Sequence, residues 1–369
     1  MRTKLRVSLD KIKYNLDVVR QQLPQGCKII AVVKANAYGH GDIPVSTYIE
    51  KECDVHMFAV ASLGEALSLR NGGIKKDILV LSYVDPEDLA TAIENNVTLA
   101  IISPEHAIAM SEKAVSLGKK PNVHLKLNTG MNRVGFDCKT FKQLMAISGV
   151  YKLPNLNFTG IFSHFSSSDD TSKGADPYTK LQLERFSKVM AYLSERGVDP
   201  GLKHISNSGA IGKYPQARFD AVRCGALLYG YNTAMDAKLP VVPVMTWTAA
   251  ISTVRTIDFG DAVSYSRRFV AKEPTKIATL CIGYADGLPR ILTNKGTVII
   301  NGVKCPSVGS ICMDQMMVNV SNVPGEIKMG DEAIIIGEGQ TADDLAEAAG
   351  SCMHDILSSI AARVEREYI

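Results

Sequence analysis

Lys34 closes an apolar, β-branched run, "KIIAVVK" (28–34), and is followed at once by the small and polar "ANAYGHG". A lysine at the end of a buried strand is costly unless it is paired, neutral or covalently used. Desolvation lowers the pKa of such an amine and makes it a nucleophile toward a carbonyl. Other polar residues close similar runs: Lys126 and Asn128 in "VHLKLN", His164 in "FTGIFSH", Ser208 in "LKHISNS", and Arg223 just ahead of Gly225 and Ala226 in "DAVRCGALLYG". A hydroxyl at Ser208 and the backbone N–H groups of the Gly225-Ala226 turn suit a phosphate. A phosphorylated ligand facing a reactive lysine is the economical chemistry, and a Schiff base to pyridoxal 5'-phosphate would satisfy it. Two readings of Lys34 stay open here: that covalent role, or a lysine whose stem packs while its ammonium reaches solvent.

These residues need a frame that gathers strand ends on one face. Eight apolar runs (28–34, 56–61, 78–82, 99–103, 123–128, 158–164, 202–208 and 220–230) alternate with segments of helical character. The helix signals are explicit: Ser62 with Glu65 fits a capping box, "DPED" and "SPEH" put proline at the first helical position, and Gly118 suits a C-terminal cap. Eight strand-helix repeats imply a closed (β/α)8 TIM barrel over residues 9–235, whose C-terminal strand ends carry the polar residues. An open doubly wound sheet carries the same alternation and is the alternative.

From residue 236 the texture changes to closely spaced β runs, among them "MTWTAAISTVRTI", "KIATLCIGYA", "GTVIING", "MMVNVS" and "EAIIIG". They predict a C-terminal β-rich domain over 236–369, joined by an N-terminal strand at 1–8. "TADDLAEAAG" reads as a helix with Thr341 as N-cap, Asp343 and Asp344 in its first turn and Gly350 at its end, and "HDILSSIAARVERE" as a last helical segment. No proline-rich linker separates the two parts, so they are expected to pack together with function at the junction.

The charges, 41 basic against 38 acidic, are spread along the chain without a block to track a nucleic-acid backbone, so neither nucleic acid nor an anionic membrane is an expected partner. The N-terminus lacks the apolar core of a signal peptide. Eight cysteines without a C-x-x-C pair point to a reducing, cytoplasmic setting, with no disulfide frame and no metal site.

With these residues in hand, the chain resembles the alanine racemase family from end to end. "AVVKANAYGHG" is similar to that family's cofactor-lysine motif, "KLNTGMNRVGF", "GIFSHFSSSD", "HISNSGAI" and "VRCGALLYG" to later barrel signatures, and "AVSYSRRF", "GYADGLPR" and "GSICMDQMMV" to motifs of its second domain. The resemblance implies a pyridoxal 5'-phosphate enzyme that racemises a small amino acid with two bases, Lys34 and Tyr265, the latter reaching the site from the partner subunit of a homodimer. It implies that Arg223 contacts the pyridine nitrogen and His164 the ring. Tyr38, Ser208, Gly225 and Ala226 would bind phosphate. Arg133 and the backbone N–H of Met313 would bind the substrate carboxylate, with Asp314 on the same loop. Lys126 matches a lysine often carbamylated in the family, and Tyr284 and Arg290 fall near the entrance. The implied cellular role is D-alanine supply for cell-wall peptidoglycan.

Departures from the family pattern sharpen the substrate question. His354 stands at a position where the family commonly has a pocket tyrosine, Asp355 where it has glutamate, and Glu365 where it has proline; Asn128 and Cys224 replace a more usual aspartate and proline. A smaller polar ring at His354 leaves room and a hydrogen-bond partner for a hydroxymethyl side chain, so serine is expected beside alanine. A serine-preferring enzyme of a modified wall pathway is one alternative. A barrel decarboxylase is disfavoured by Arg223, where that relative would place a carboxylate, and a cofactor carrier without turnover leaves the β-rich domain unexplained. The other histidines, His124 and His204 included, read as structural.

Overall fold

A computed structural model describes residues 2–369, which divide into two compact units: 11–37 with 42–242, and 2–10 with 38–41 and 243–369. The strand Thr3–Val7 (β1) belongs to the second unit. In the first, eight parallel strands follow: Lys28–Val32 (β2), Met57–Val60 (β3), Asp77–Val80 (β4), Val97–Ile101 (β5), Asn122–Asn128 (β6), Asn157–Phe162 (β7), Leu202–His204 (β8) and Ala221–Cys224 (β9). Each pairs with its successor and β9 returns to β2, with Arg223 opposite Ile30, so the sheet closes as a barrel. The strands are buried on both faces, the reason their sequences run apolar without alternation.

The connecting helices start where their caps dictate. Ser62 and Glu65 form the expected capping box at Leu63–Asn71, Ser103 caps Pro104–Leu117, and Gly118 ends that helix in a left-handed conformation. Down the barrel axis the usual apolar filling gives way to His124, Lys126, His204 and Arg223, all buried. Gly160 lies opposite His124 in the β6–β7 register, and a Cβ there would overlap the imidazole.

In the β-rich unit, β1 pairs antiparallel with Met245–Ile257, and the fully buried Trp247 donates its indole N–H to Thr3 Oγ1 at 2.9 Å. Thr341 and Gly350 cap the helix Ala342–Ala349 as expected. The stretch after it departs from expectation: the helix runs only from Met353 to Ser358, and Glu365–Tyr368 is a strand parallel to β1. Backbone pairing with a segment over 350 residues away outweighs local helical preference there. Tyr38–Gly41 also belongs to this unit, because Arg366 Nε donates to Gly39 O at 2.9 Å and Gly41 leaves no room for a Cβ beside Tyr368. No helix among the described residues is long and apolar enough to cross a membrane.

Candidate active site

Lys34 follows the C-terminal end of β2, and the chain then enters four consecutive left-handed residues, Ala35, Asn36, Ala37 and Tyr38, with φ between 52° and 54°. Each costs about 1–2 kcal/mol for a residue with a side chain. Specific bonds hold the turn: Glu65 Oε1 accepts the Ala35 N–H at 2.7 Å, Val33 O accepts that of Ala37 at 2.9 Å, and Asn36 Oδ1 accepts that of Asp42 at 2.9 Å. Such strain concentrates at functional positions. Burial lowers the Lys34 pKa, Arg133 and Arg223 lower it further, and Glu65 opposes them.

Arg223 is the hub of the barrel interior. Its Nη1 donates to His204 Nδ1 at 3.0 Å, and its Nη2 to His164 Nδ1 and Ser163 O, both at 2.8 Å, and to Ile205 O at 3.0 Å. Burial pulls its pKa down to about 9, which leaves it charged at neutral pH. A guanidinium has no acceptor, so both facing Nδ1 atoms must accept and the protons of His164 and His204 sit on Nε2. His204 Nε2 then donates to His124 Nδ1 at 3.0 Å, a column of neutral imidazoles polarised away from Arg223. Burial accounts for their neutrality, pushing His124 to about 3 and holding His164 and His204 well below the usual range. The sequence assigns His164 a place at the cofactor ring only through its motif, does not foresee its bond to Arg223, and leaves His204 and Glu65 without a role at the site. Nothing in their local sequence marks them, since a strand histidine and a capping glutamate are both ordinary.

Lys126 is 4% exposed, donating to Leu127 O at 2.7 Å and Val134 O at 3.3 Å. Burial, then Arg223 and Arg133, bring its ammonium down to about 7. The unfolded chain holds that proton to about pH 10.4. Between those values the unfolded state binds more protons, so wild-type stability should rise with pH. In carbonate-free buffer, urea titrations from pH 7 to about 10 should show the wild type gaining on Lys126→Met by something on the order of 4 kcal/mol. Parallel pH profiles would contradict a buried neutral amine. The loop after Lys126 carries the exposed Arg133 and is organised by Asn128, which donates to Asp137 Oδ1 at 2.7 Å and accepts the Asn132 N–H at 2.9 Å. Asn128 can donate to Asp137 where the more usual aspartate would repel it.

Ser208 begins a short helix after β8, and its Oγ accepts the N–H groups of Gly225 at 3.0 Å and Leu227 at 3.4 Å. The hydroxyl thus fixes the turn containing Ala226. In the β-rich unit, Tyr265 and Met313 line one cavity of about 680 Å³ and are 70% and 53% exposed. Ser264, Ser266 and Arg267 around Tyr265 have positive φ, and Ser310 Oγ donates to Tyr265 O at 3.0 Å. Beneath Met313, Asp314 accepts from Arg363 Nη2 at 2.7 Å, and Arg363 Nε donates to the buried Asp286 at 2.8 Å. Tyr284 is exposed, its N–H donating to Cys312 O at 3.1 Å, and Arg290 is exposed nearby in sequence. His354 is half-buried, its ring 5.6 Å from that of Tyr38.

The chain matches the models named "Alanine racemase, N-terminal domain" over residues 7–233 and "Alanine racemase, C-terminal domain" over 244–368. The chain belongs to the alanine racemase family. Alanine racemase 2 of Caldanaerobacter subterraneus subsp. tengcongensis is 39% identical over 100% of this chain and 95% of its own length. The alanine racemase structure from Clostridium difficile 630 is 36% identical, with a TM-score of 0.93 over 100% of this chain and 96% of the other. That of the Bartonella henselae alanine racemase, described with covalently bound pyridoxal phosphate, is 28% identical, with a TM-score of 0.89 and full coverage of both chains.

The racemase family uses pyridoxal 5'-phosphate, and the residues here fit it. The pKa of the Lys34 amine is depressed by burial, the turn at Gly225–Leu227 is fixed on a hydroxyl, and Arg133 and Arg223 place positive charge around Lys34 and Lys126. That field suits a dianionic phosphate and an amino acid carboxylate.

Proposed function

We propose that this racemase interconverts L- and D-alanine, and also L- and D-serine, by a two-base mechanism in a homodimer. Pyridoxal phosphate, when bound, supplies the electron sink that makes a proton on the substrate Cα removable. Lys34 would hold it covalently, Tyr38, Ser208, Gly225 and Ala226 its phosphate, Arg223 its pyridine nitrogen and His164 its ring. Arg223 is a donor only, so a pyridine nitrogen that it met would stay an acceptor without a proton. Arg133 and the Met313 N–H of the partner chain would orient the substrate carboxylate. The Lys34 amine would then take or return the Cα proton on one face, and the phenol of the partner's Tyr265 would do so on the other.

The observation that carries this reading is the desolvated amine of Lys34 at the barrel mouth; within the β-rich unit, Tyr265 has a pinned backbone and an exposed ring, as a base offered to a second copy would need. An exposed tyrosine beside an exposed methionine on a concave wall suits a surface completed by a second copy. A Lys126 that titrates near neutrality has the free amine that carbamylation by carbon dioxide needs, and the resulting carbamate would face Arg133. Eight unpaired cysteines support a cytoplasmic enzyme, and D-alanine for peptidoglycan is its proposed product.

Serine use rests on His354. An imidazole is smaller than a phenol and offers a ring nitrogen to a substrate hydroxyl. His354→Tyr should lower kcat/KM for serine about tenfold or more relative to alanine, since a lost polar contact and about one hydroxymethyl of space are worth roughly 1–3 kcal/mol. Measuring racemisation of both amino acids by wild type and variant checks this, and an unchanged ratio would remove His354 from substrate choice.

A further inference from the structure

We infer that Glu65 is a positioning residue for Lys34, clamping the left-handed turn that begins at Ala35 to the start of helix Leu63–Asn71. The inference rests on the reading of Lys34 as the cofactor lysine. A capping box needs one carboxylate oxygen, and Glu65 supplies Oε2 for it, accepting the N–H groups of Ala61 at 2.6 Å and Ser62 at 3.2 Å. The second oxygen, Oε1, leaves the helix and accepts the Ala35 N–H at 2.7 Å. One side chain thus joins a stable helix start to the residue next to Lys34, at the entry of four residues that sterics disfavour.

Neither close homologue of glutamate reproduces the clamp. Glutamine would turn an N–H toward at least one of the three N–H donors, and aspartate lacks the reach to bond both Ala35 and the helix start. Glu65 also brings a negative charge to an amine otherwise surrounded by Arg133 and Arg223. Removing that charge lets the Lys34 pKa fall further.

Three variants separate positioning from helix stability. Ser62→Ala deletes the other half of the capping box, the Oγ that accepts the Glu65 N–H at 3.3 Å, without touching Lys34. It should lower the melting temperature while leaving kcat within about twofold of wild type. Glu65→Gln should lower kcat about 10- to 100-fold with little change in KM, and release pyridoxal phosphate correspondingly faster on dialysis. In the full-length chain freed of cofactor, labelling with trinitrobenzenesulfonate, followed by mass spectrometry of the Lys34 peptide, should reach half-extent at lower pH in Glu65→Gln than in wild type or Ser62→Ala. Glu65→Asp keeps the charge and loses the reach, so its labelling pH should stay near wild type while kcat falls.

If Glu65→Gln and Ser62→Ala both lose thermal stability alone, with labelling pH, cofactor release and kcat unchanged, the inference is wrong. Should Glu65→Gln not fold, an unchanged kcat in Glu65→Asp is enough to reject it. Borohydride reduction of wild type with pyridoxal phosphate tests the underlying reading separately: an adduct on a residue other than Lys34 overturns that reading, whatever Glu65 does.

Discussion

Tyr265→Phe should lower the turnover of both alanine enantiomers by about 10²- to 10⁴-fold, the usual contribution of a positioned acid or base. Melting should be nearly unaffected, because the ring is 70% exposed and what holds the segment is backbone: Ser310 Oγ on Tyr265 O, and Ser264 Oγ on Ser310 O at 2.7 Å. Lys34→Ala should be at least as inactive, since in the proposed mechanism the same amine would anchor the cofactor and serve the opposite face. The sharper experiment mixes the two. Lys34→Ala and Tyr265→Phe chains, unfolded and reassembled together in equal amounts, should regain about a quarter of wild-type activity, because half of the dimers in a twofold-symmetric assembly are mixed and each carries one intact site. Were Tyr265 to serve its own chain's Lys34, no mixed dimer would hold both residues in one site and the mixture would stay inactive. Activity assays on the mixture, with each parent refolded alone as control, decide between these outcomes.

Arg223→Lys should be damaging although it conserves charge. The guanidinium spans two imidazole nitrogens and the carbonyls of Ser163, His204 and Ile205, an array that a single ammonium with three donors cannot reach. Buried acceptors left without a donor cost about 1–3 kcal/mol each. We expect a destabilisation of roughly 2–4 kcal/mol in urea titration of the barrel, allowing for partial rearrangement. His204 and His164 lose the donor that fixes their tautomers, so the column to His124 loses its single direction. Activity should fall about 10²- to 10³-fold, as when one preorganised donor is removed from a developing charge. Wild-type stability in Arg223→Lys, with only KM altered, would show that the guanidinium fork is dispensable.

Much of this architecture is written locally. The eight barrel runs are short, apolar and separated by caps such as Ser62, Ser103 and Gly118, whose roles follow from backbone groups within three or four residues. The polar residues at strand ends were legible for the same reason, because a lysine or arginine in a buried run breaks a pattern. What escaped was set by distant partners. Ala35 and Ala37 carry no sign of left-handed geometry, since alanine disfavours it and the bond from Ala35 to Glu65, thirty residues on, helps to hold it. The strand at Glu365–Tyr368 was hidden because its partner is Thr3–Val7, at the opposite end of the sequence. His204 looked structural until the fold placed it against Arg223.

The anchoring of Gly39 by Arg366 has a consequence for how the enzyme is made. On the ribosome every barrel strand has emerged, and can pair, well before residues 365–368 exist. The Gly39 carbonyl just beyond Lys34 has no donor from Arg366 until then. A nascent barrel would therefore be able to collapse while its lysine turn is still unfastened. Competence to capture the cofactor would then arrive only after residues 365–368 are made, long after the barrel strands.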